Sequence, residues 1–458
     1  MRNKEKGITL IALIITIIVM LILVGVVVTV VIQSNLLGTA KTAGDKYKTA
    51  YEEESNMSQI EINGKKYDSI EDYLAGVEKL PDIEAGVRAE TNSNYKGVTI
   101  PKGFTVSGIS TEQSVDGGLV IYDIPEGRTV NWTNPDSVKT QYNQFVWIPV
   151  EVNKTTEPKD TETSIASFKR SVWQDNARVA NNAQSSTSFP SSSPSSSYSW
   201  SNYTEPYSKD SRDYDGTGTG KTGISAQITE LTQSIYKYGG FYIGRYEAGS
   251  ETERTNSSGV TTLGIKQDMY PYIYVKWGDS MSNIGTTGAV YLSNSLYTGK
   301  TGYGVKSMLC TGAAWDSMLD FVKDSNHSVT DSTTWGNYKN SETFEITRGS
   351  YAVLNTSSYT LGSFNNVESN YSKMKGKSIL LTTGATGATE RNSSKNIYDV
   401  AGNCYEWTTE AVDTGYRVLR GGFYFNDGSV RPASYRNDGD PTVSDFSGSF
   451  RPLLYVAL

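Results

Sequence analysis

Apolar and polar positions divide the chain into stretches of different period. Residues 8–32, "ITLIALIITIIVMLILVGVVVTVVI", form an apolar run without a charged side chain. A run of that length can cross a bilayer as a helix, and a more polar helical pattern continues to about residue 50. Next, "IEINGKKYDSIEDYLAGV" predicts a small hairpin around Asn63 and Gly64, then a helical turn opened by Asp68 and Ser69. From about Val98 onward, short alternating segments with frequent Gly, Ser, Thr and Tyr predict strands and loops. One later segment, 307–325, carries Ala314, Trp315, Met318, Leu319 and Val322 at helical spacing, with Thr311 placed to cap it. Such a stripe reads as core. The Ser/Pro-rich stretch 181–206 has no means of building a core and is expected to be a mobile loop.

Composition narrows the chemistry. The 458-residue chain carries a net charge of −7 and lacks a basic run, which argues against nucleic acid as a partner. One histidine (His327) and two cysteines (Cys310, Cys404) exclude a His/Cys zinc or iron centre but leave an oxygen-ligand site open. Two cysteines cannot form a disulfide framework. One bridge is possible in principle, and two buried thiols are the expected state.

The start of the chain carries a specific arrangement. A short basic leader (Arg2, Lys4, Lys6) ends at Gly7, directly before the apolar run, and no A-x-A cleavage site follows. This resembles a type IV prepilin leader. The resemblance implies a leader over 1–7, cleavage between Gly7 and Ile8, and a methylated Ile8. It also implies a transmembrane or pilin helix over 8–50 and a stalk with a small hairpin over 51–97. The rest would be displayed outside the bacterial cell membrane, at the cell surface or a pilus tip, with other pilin subunits as partners. The family usually has Glu at the fifth mature position, where this chain has Ala12. That departure suits a filament-tip subunit or a plain membrane anchor, and an ordinary signal-anchor helix is the alternative.

Four later segments recur in a recognisable order: "FVWIPVEV" (145–152), "YGGFYIGRYEAG" (238–249), the Trp315 helix, and "NIYDVAGNCYEWTTE" (396–410) running into "RVLRGGFYF" (417–425). "SYRND" and "GSFRPLLYVAL" close the chain. Together they resemble the formylglycine-generating-enzyme/sulfatase-modifying-factor family, whose fold is C-type-lectin-like. The expected fold class is therefore α+β: a long N-terminal membrane or pilin helix, then a domain over 98–458 with short strands, few helices and much irregular loop. The resemblance also implies a calcium ion held by the carbonyls of Ala401, Gly402 and Cys404 and the carboxylate of Glu406. Alternatively, Glu406 caps a turn or pairs with an arginine such as Arg420.

Catalytic members of that family carry two cysteines after the R-G-G motif. The matching positions here are Asn426 and Arg431, and neither forms the thiolate that binds metal or attacks. Cys404 belongs to the calcium segment, and one histidine cannot supply the iron site of the related sulfoxide synthases. The expectation is a non-catalytic domain whose loop 421–447 binds a ligand. Tyr424, Phe425, Asn426, Asp427, Ser429, Tyr435, Asn437 and Asp438 are its candidate contacts, since aromatics mixed with Ser, Asn and Asp resemble a paratope. A solvent-facing loop with a few core aromatics is the plainer alternative. Some proteins of this family are targets of diversity-generating retroelements, whose randomised codons cannot yield Lys, Glu, Gln, Met or Trp. None of those five occurs in 421–458. The sequence thus suggests an adhesin-like, surface-displayed protein with a protein or glycan ligand on another cell or host surface. An oxidoreductase with an atypical site and a structural minor pilin are the alternatives.

Overall fold

The computed structural model describes residues 16–21, 60–62, 65–67, 79–153, 165, 167–179, 223–280, 283–341, 346, 348–355, 360–366, 377–385, 393–411 and 416–458. Two compact units divide the chain, Met1–Lys79 and Leu80–Leu458.

In the first unit, Ile60–Ile62 pairs antiparallel with Lys65–Tyr67, which is the hairpin expected there. The leader, the Gly7/Ile8 junction and the helical turn after the hairpin lie outside the described residues. Of the span 8–50 only 16–21 is described, as helix. Among the described residues no helix is long and apolar enough to cross a membrane. The expected single-pass anchor and the α+β class built on a long N-terminal helix are corrected accordingly. The described chain is mostly strands, arranged in several sheets, with few helices. Hydropathy measures only the apolar length of a run. A spanning helix also needs a continuous backbone hydrogen-bond ladder, which apolar length alone does not establish.

In the second unit, the strands that position the site are β1 (Thr105–Val106), β2 (Val120–Tyr122), β3 (Gln144–Pro149), β4 (Gly240–Gly244), β5 (Val305–Leu309), β6 (Tyr405–Ala411), β7 (Arg417–Arg420), β8 (Arg436–Gly439), β9 (Gly448–Phe450) and β10 (Pro452–Val456). A six-stranded antiparallel sheet runs β5-β10-β4-β3-β2-β1. Its central strands β4 and β10 are buried along their whole length. That explains why they read as continuous apolar runs: neither face meets water. Helix α1 (Ile224–Tyr238) packs on β4 and β10, and α2 (Ala289–Ser295) packs on β5. Helix α3 (Gly312–Val322) touches β3 and β6. The Ala314 amide donates to Thr311 Oγ1 at 3.0 Å, and the whole apolar stripe of α3 is buried, both as expected. One large core joins these layers, from Ile121 and Phe145 through Trp315 and Leu319 to Trp407 and Phe450. A second sheet, ordered β8-β7-β6-β9, has β9 parallel to β6 and the other pairs antiparallel.

Candidate functional site: the braced C-terminal loop

Strands β7 and β8 are antiparallel neighbours, and the loop 421–435 joins them. In their ladder Arg420 lies directly opposite Arg436. Like charges so placed repel, and two carboxylates from other elements reverse the balance. Asp316 of α3 accepts from Arg420 Nη2 at 2.8 Å and Arg436 Nη2 at 2.5 Å. Glu410 of β6 accepts from Arg436 Nε at 3.0 Å and from Arg170 Nη1 at 3.2 Å. The Ser171 amide (2.7 Å) and the Trp173 indole (3.0 Å) also donate to Asp316. All five charged side chains are at most 2% exposed. Burial alone would push the Asp316 carboxyl up, but Arg420 and Arg436 hold it well below the usual carboxylate range. Both ends of the loop are thereby braced on one buried ionic network.

The glycines after Arg420 are required by space. Gly421 and Gly422 have φ of +90° and +72°, and a Cβ on Gly422 would lie 2.3 Å from the Arg431 carbonyl. The Tyr338 hydroxyl donates to the Gly421 carbonyl at 2.7 Å.

The structure separates the candidate contacts into two groups. Tyr424 (0% exposed) and Tyr435 (6%), expected at the surface, are core rings. Tyr424 packs with Cys404, Leu380 and Ile273, and its hydroxyl finds no hydrogen-bond partner among the described residues. Aromatics in a polar stretch read as anchors in sequence, yet here the chain turns them inward. Phe425 is half-buried beneath the Lys339 ammonium, 5.2 Å from its ring centre. Asn426 spends its Oδ1 on the Phe423 amide, and Asp427 sits 3.8 Å from Lys339 Nζ. Ser429 is exposed beside Val430, which is 59% exposed. Arg431, at the other position matched to a catalytic cysteine, donates to the Tyr405 hydroxyl.

Asn437 and Asp438 wall an open cleft of about 110 Å³, whose lining also includes Val275, Tyr405, Trp407 and Leu419. Asp440, Val443 and Asp445, from the turn before β9, complete the rim. Trp407 commits its indole N–H to the Val275 carbonyl at 3.1 Å. Close packing needs Gly439, since a Cβ there would lie 2.5 Å from the Trp407 ring. Sequence reasoning placed Trp407 only within a family motif. Its position opposite Leu419 in the β6–β7 ladder is what brings it to the cleft.

The segment expected to hold calcium is occupied otherwise. Arg451 clamps Glu406 with both arms, Nε to Oε2 at 2.9 Å and Nη2 to Oε1 at 2.6 Å. The partner is therefore Arg451, whereas Arg420 serves Asp316. The Ala401 carbonyl accepts from the Asn337 amide at 2.9 Å, and the Gly402 amide donates to the Gly421 carbonyl at 2.8 Å. With a guanidinium on both Glu406 oxygens, that carboxylate as folded does not fit a divalent cation. Among the described residues, no group of three or more His, Cys, Asp or Glu side chains is placed to hold a metal ion. Burial pushes Glu406 up to about 7 against the pull of Arg451. Burial and the neighbouring Asp399 and Glu406 push Glu247 well up, and its side chain accepts from Asn403 Nδ2. Cys310 and Cys404 are both buried and unbridged. Burial and Glu247 push the Cys404 thiol far from the thiolate.

No protein-family model and no curated protein matches the chain. Neither the prepilin nor the formylglycine-generating resemblance gains support there. Among solved structures, Treponema denticola variable protein 1 is similar over 32% of this chain, at 17% identity and a TM-score of 0.19. The chain spans about half (47%) of that protein's length. A likeness that slight carries neither fold nor function across.

Proposed function

We propose that the Leu80–Leu458 unit is a non-catalytic ligand-binding protein whose contact surface is formed by the stretch 421–448. One observation carries this reading: a cleft opens at Asn437 and Asp438, directly after the braced Arg436. Supporting it, exposed side chains such as Ser429, Val430, Thr442 and Val443 project from a frame whose rigid parts lie elsewhere. Binding residues are commonly carried on loops held by such a scaffold. The codon-compatible composition of the exposed part of 421–448 fits a surface meant to vary. The ligand is a protein or a glycan.

Arrays of glycans and proteins probed with the full chain test this. Wild type should bind a partner that a variant carrying Ser429→Tyr, Val430→Tyr and Val443→Tyr loses, while the melting temperature stays the same. Identical array profiles for the two proteins would remove the loop from ligand recognition.

A further inference from the structure

We infer that the cleft over Trp407 takes a positively charged organic group, an alkylammonium or guanidinium such as lysine and arginine side chains carry. This deepens the ligand-binding reading and rests on it. Three features of the cavity point the same way. The Trp407 ring in its floor offers a ligand no donor, because its N–H is committed to the Val275 carbonyl. A π-face without a competing donor attracts a cation.

The rim is acidic, and its acceptors are only partly used. Asp440 accepts from the Thr442 amide (2.8 Å) and hydroxyl (2.7 Å) through Oδ1 alone. Asp445 does the same for Ser447, at 2.7 Å from each donor. The Asp438 carboxylate makes no ion pair or hydrogen bond among the described residues, and no lining residue is a lysine or arginine. Nearby Arg431, outside the lining, is held by the Tyr405 hydroxyl, lies 6.0 Å from the Tyr405 ring centre and 5.3 Å from that of Tyr435, and feels the Asp438 charge. The Thr442 hydrogen bonds keep Asp440 below the usual carboxylate range, so it is ionised at neutral pH.

Size is the third feature. About 110 Å³ is well below the roughly 300–1,000 Å³ of drug-sized ligand sites, and it suits one side-chain head group. An anion would be repelled here by the carboxylates of Asp438, Asp440 and Asp445. A cationic head satisfies both walls.

Saturation-transfer NMR on the full chain tests the inference, with Nα-acetyl-arginine amide, Nα-acetyl-lysine amide and butylammonium as cationic probes. Nα-acetyl-citrulline amide and methyl glucoside are the neutral ones. The cationic probes should bind, more weakly as salt rises, and the neutral ones should not. Asp438→Asn and Asp445→Asn should each weaken the cations about two- to fivefold, as expected for partly exposed charge pairs. Asparagine retains the Oδ1 that Ser447 uses, so the turn is kept. The control Asp320→Asn, on the exposed side of α3, should change nothing. A lysine-containing peptide that outbinds butylammonium would mark a protein as the source, and equal affinity would mark a free amine. Citrulline amide or glucoside binding as well as arginine amide would overturn the cation assignment and leave the ligand-binding reading standing. Undiminished cation binding by the Asp438→Asn/Asp445→Asn double variant would overturn the site. An unchanged array profile of the tyrosine variant would overturn the broader reading instead.

Discussion

Replacing Asp316 by asparagine tests whether the loop is braced as described. The wild-type network sets Arg170, Arg420 and Arg436 against Asp316 and Glu410, all buried. After the substitution three guanidinium groups share one carboxylate, and an amide N–H faces donors that needed an acceptor. Removing one partner from a buried ionic cluster costs about 3–5 kcal/mol, because the remaining charge is left uncompensated. Urea unfolding at neutral pH should show that loss. A second substitution, Arg420→Gln, should restore part of it, the signature of direct coupling. The pH dependence has a definite sign. Asp316 is depressed in the folded state, so its contribution is present above its ordinary value of 3.8 and is lost as pH falls toward the depressed one. Wild type should therefore converge on the variant in acid. An Asp316→Asn protein within about 1 kcal/mol of wild type at neutral pH, or equally distant from it at every pH, would refute the reasoning.

Tyr424→Ala should destabilise the protein by about 3–5 kcal/mol as a core truncation, whereas Tyr424→Phe should be neutral or stabilising because the hydroxyl is unpartnered. Equal stability of the alanine variant in a urea titration would return that ring to the surface. Glu247, raised in the folded state, contributes stability that is fully present below 4.5 and is lost as pH rises through its folded value. Glu247→Gln should accordingly flatten the decline of melting temperature with rising pH, and an unchanged profile would show that this carboxyl is not responsible. With Glu406 clamped by Arg451, melting curves in calcium and in chelator should coincide. A rise in melting temperature with the logarithm of calcium concentration would reveal a site.

The parts of this fold that sequence exposed are those governed by local rules. The α3 stripe, its Thr311 cap, the first-unit hairpin and the glycine pair after Arg420 each follow from spacing or backbone demand. Long-range pairings were not legible. Nothing local in "RVLRGG" or "SYRND" shows that their arginines face each other and converge on Asp316, more than a hundred positions away. Glu406 illustrates the same limit, since a carboxylate in a polar motif suits a metal or an arginine equally until Arg451 is placed. In the loop, composition offered Asn437 and Asp438 as contacts, and both lie in the lining of the cleft. It misplaced Tyr424 and Tyr435, because an aromatic side chain reads the same whether its backbone turns it inward or outward.

Because Arg420 and Arg436 stand opposite each other in register, the two ends of the segment 421–435 lie at almost one point. The segment between them is closed by the ionic brace whatever its length. Closure entropy grows only with the logarithm of length, about 0.6 kcal/mol per doubling. Guest peptides inserted at the exposed Ser429–Val430 junction should then be carried at little thermodynamic cost, which makes this hairpin mouth a natural port for engineering.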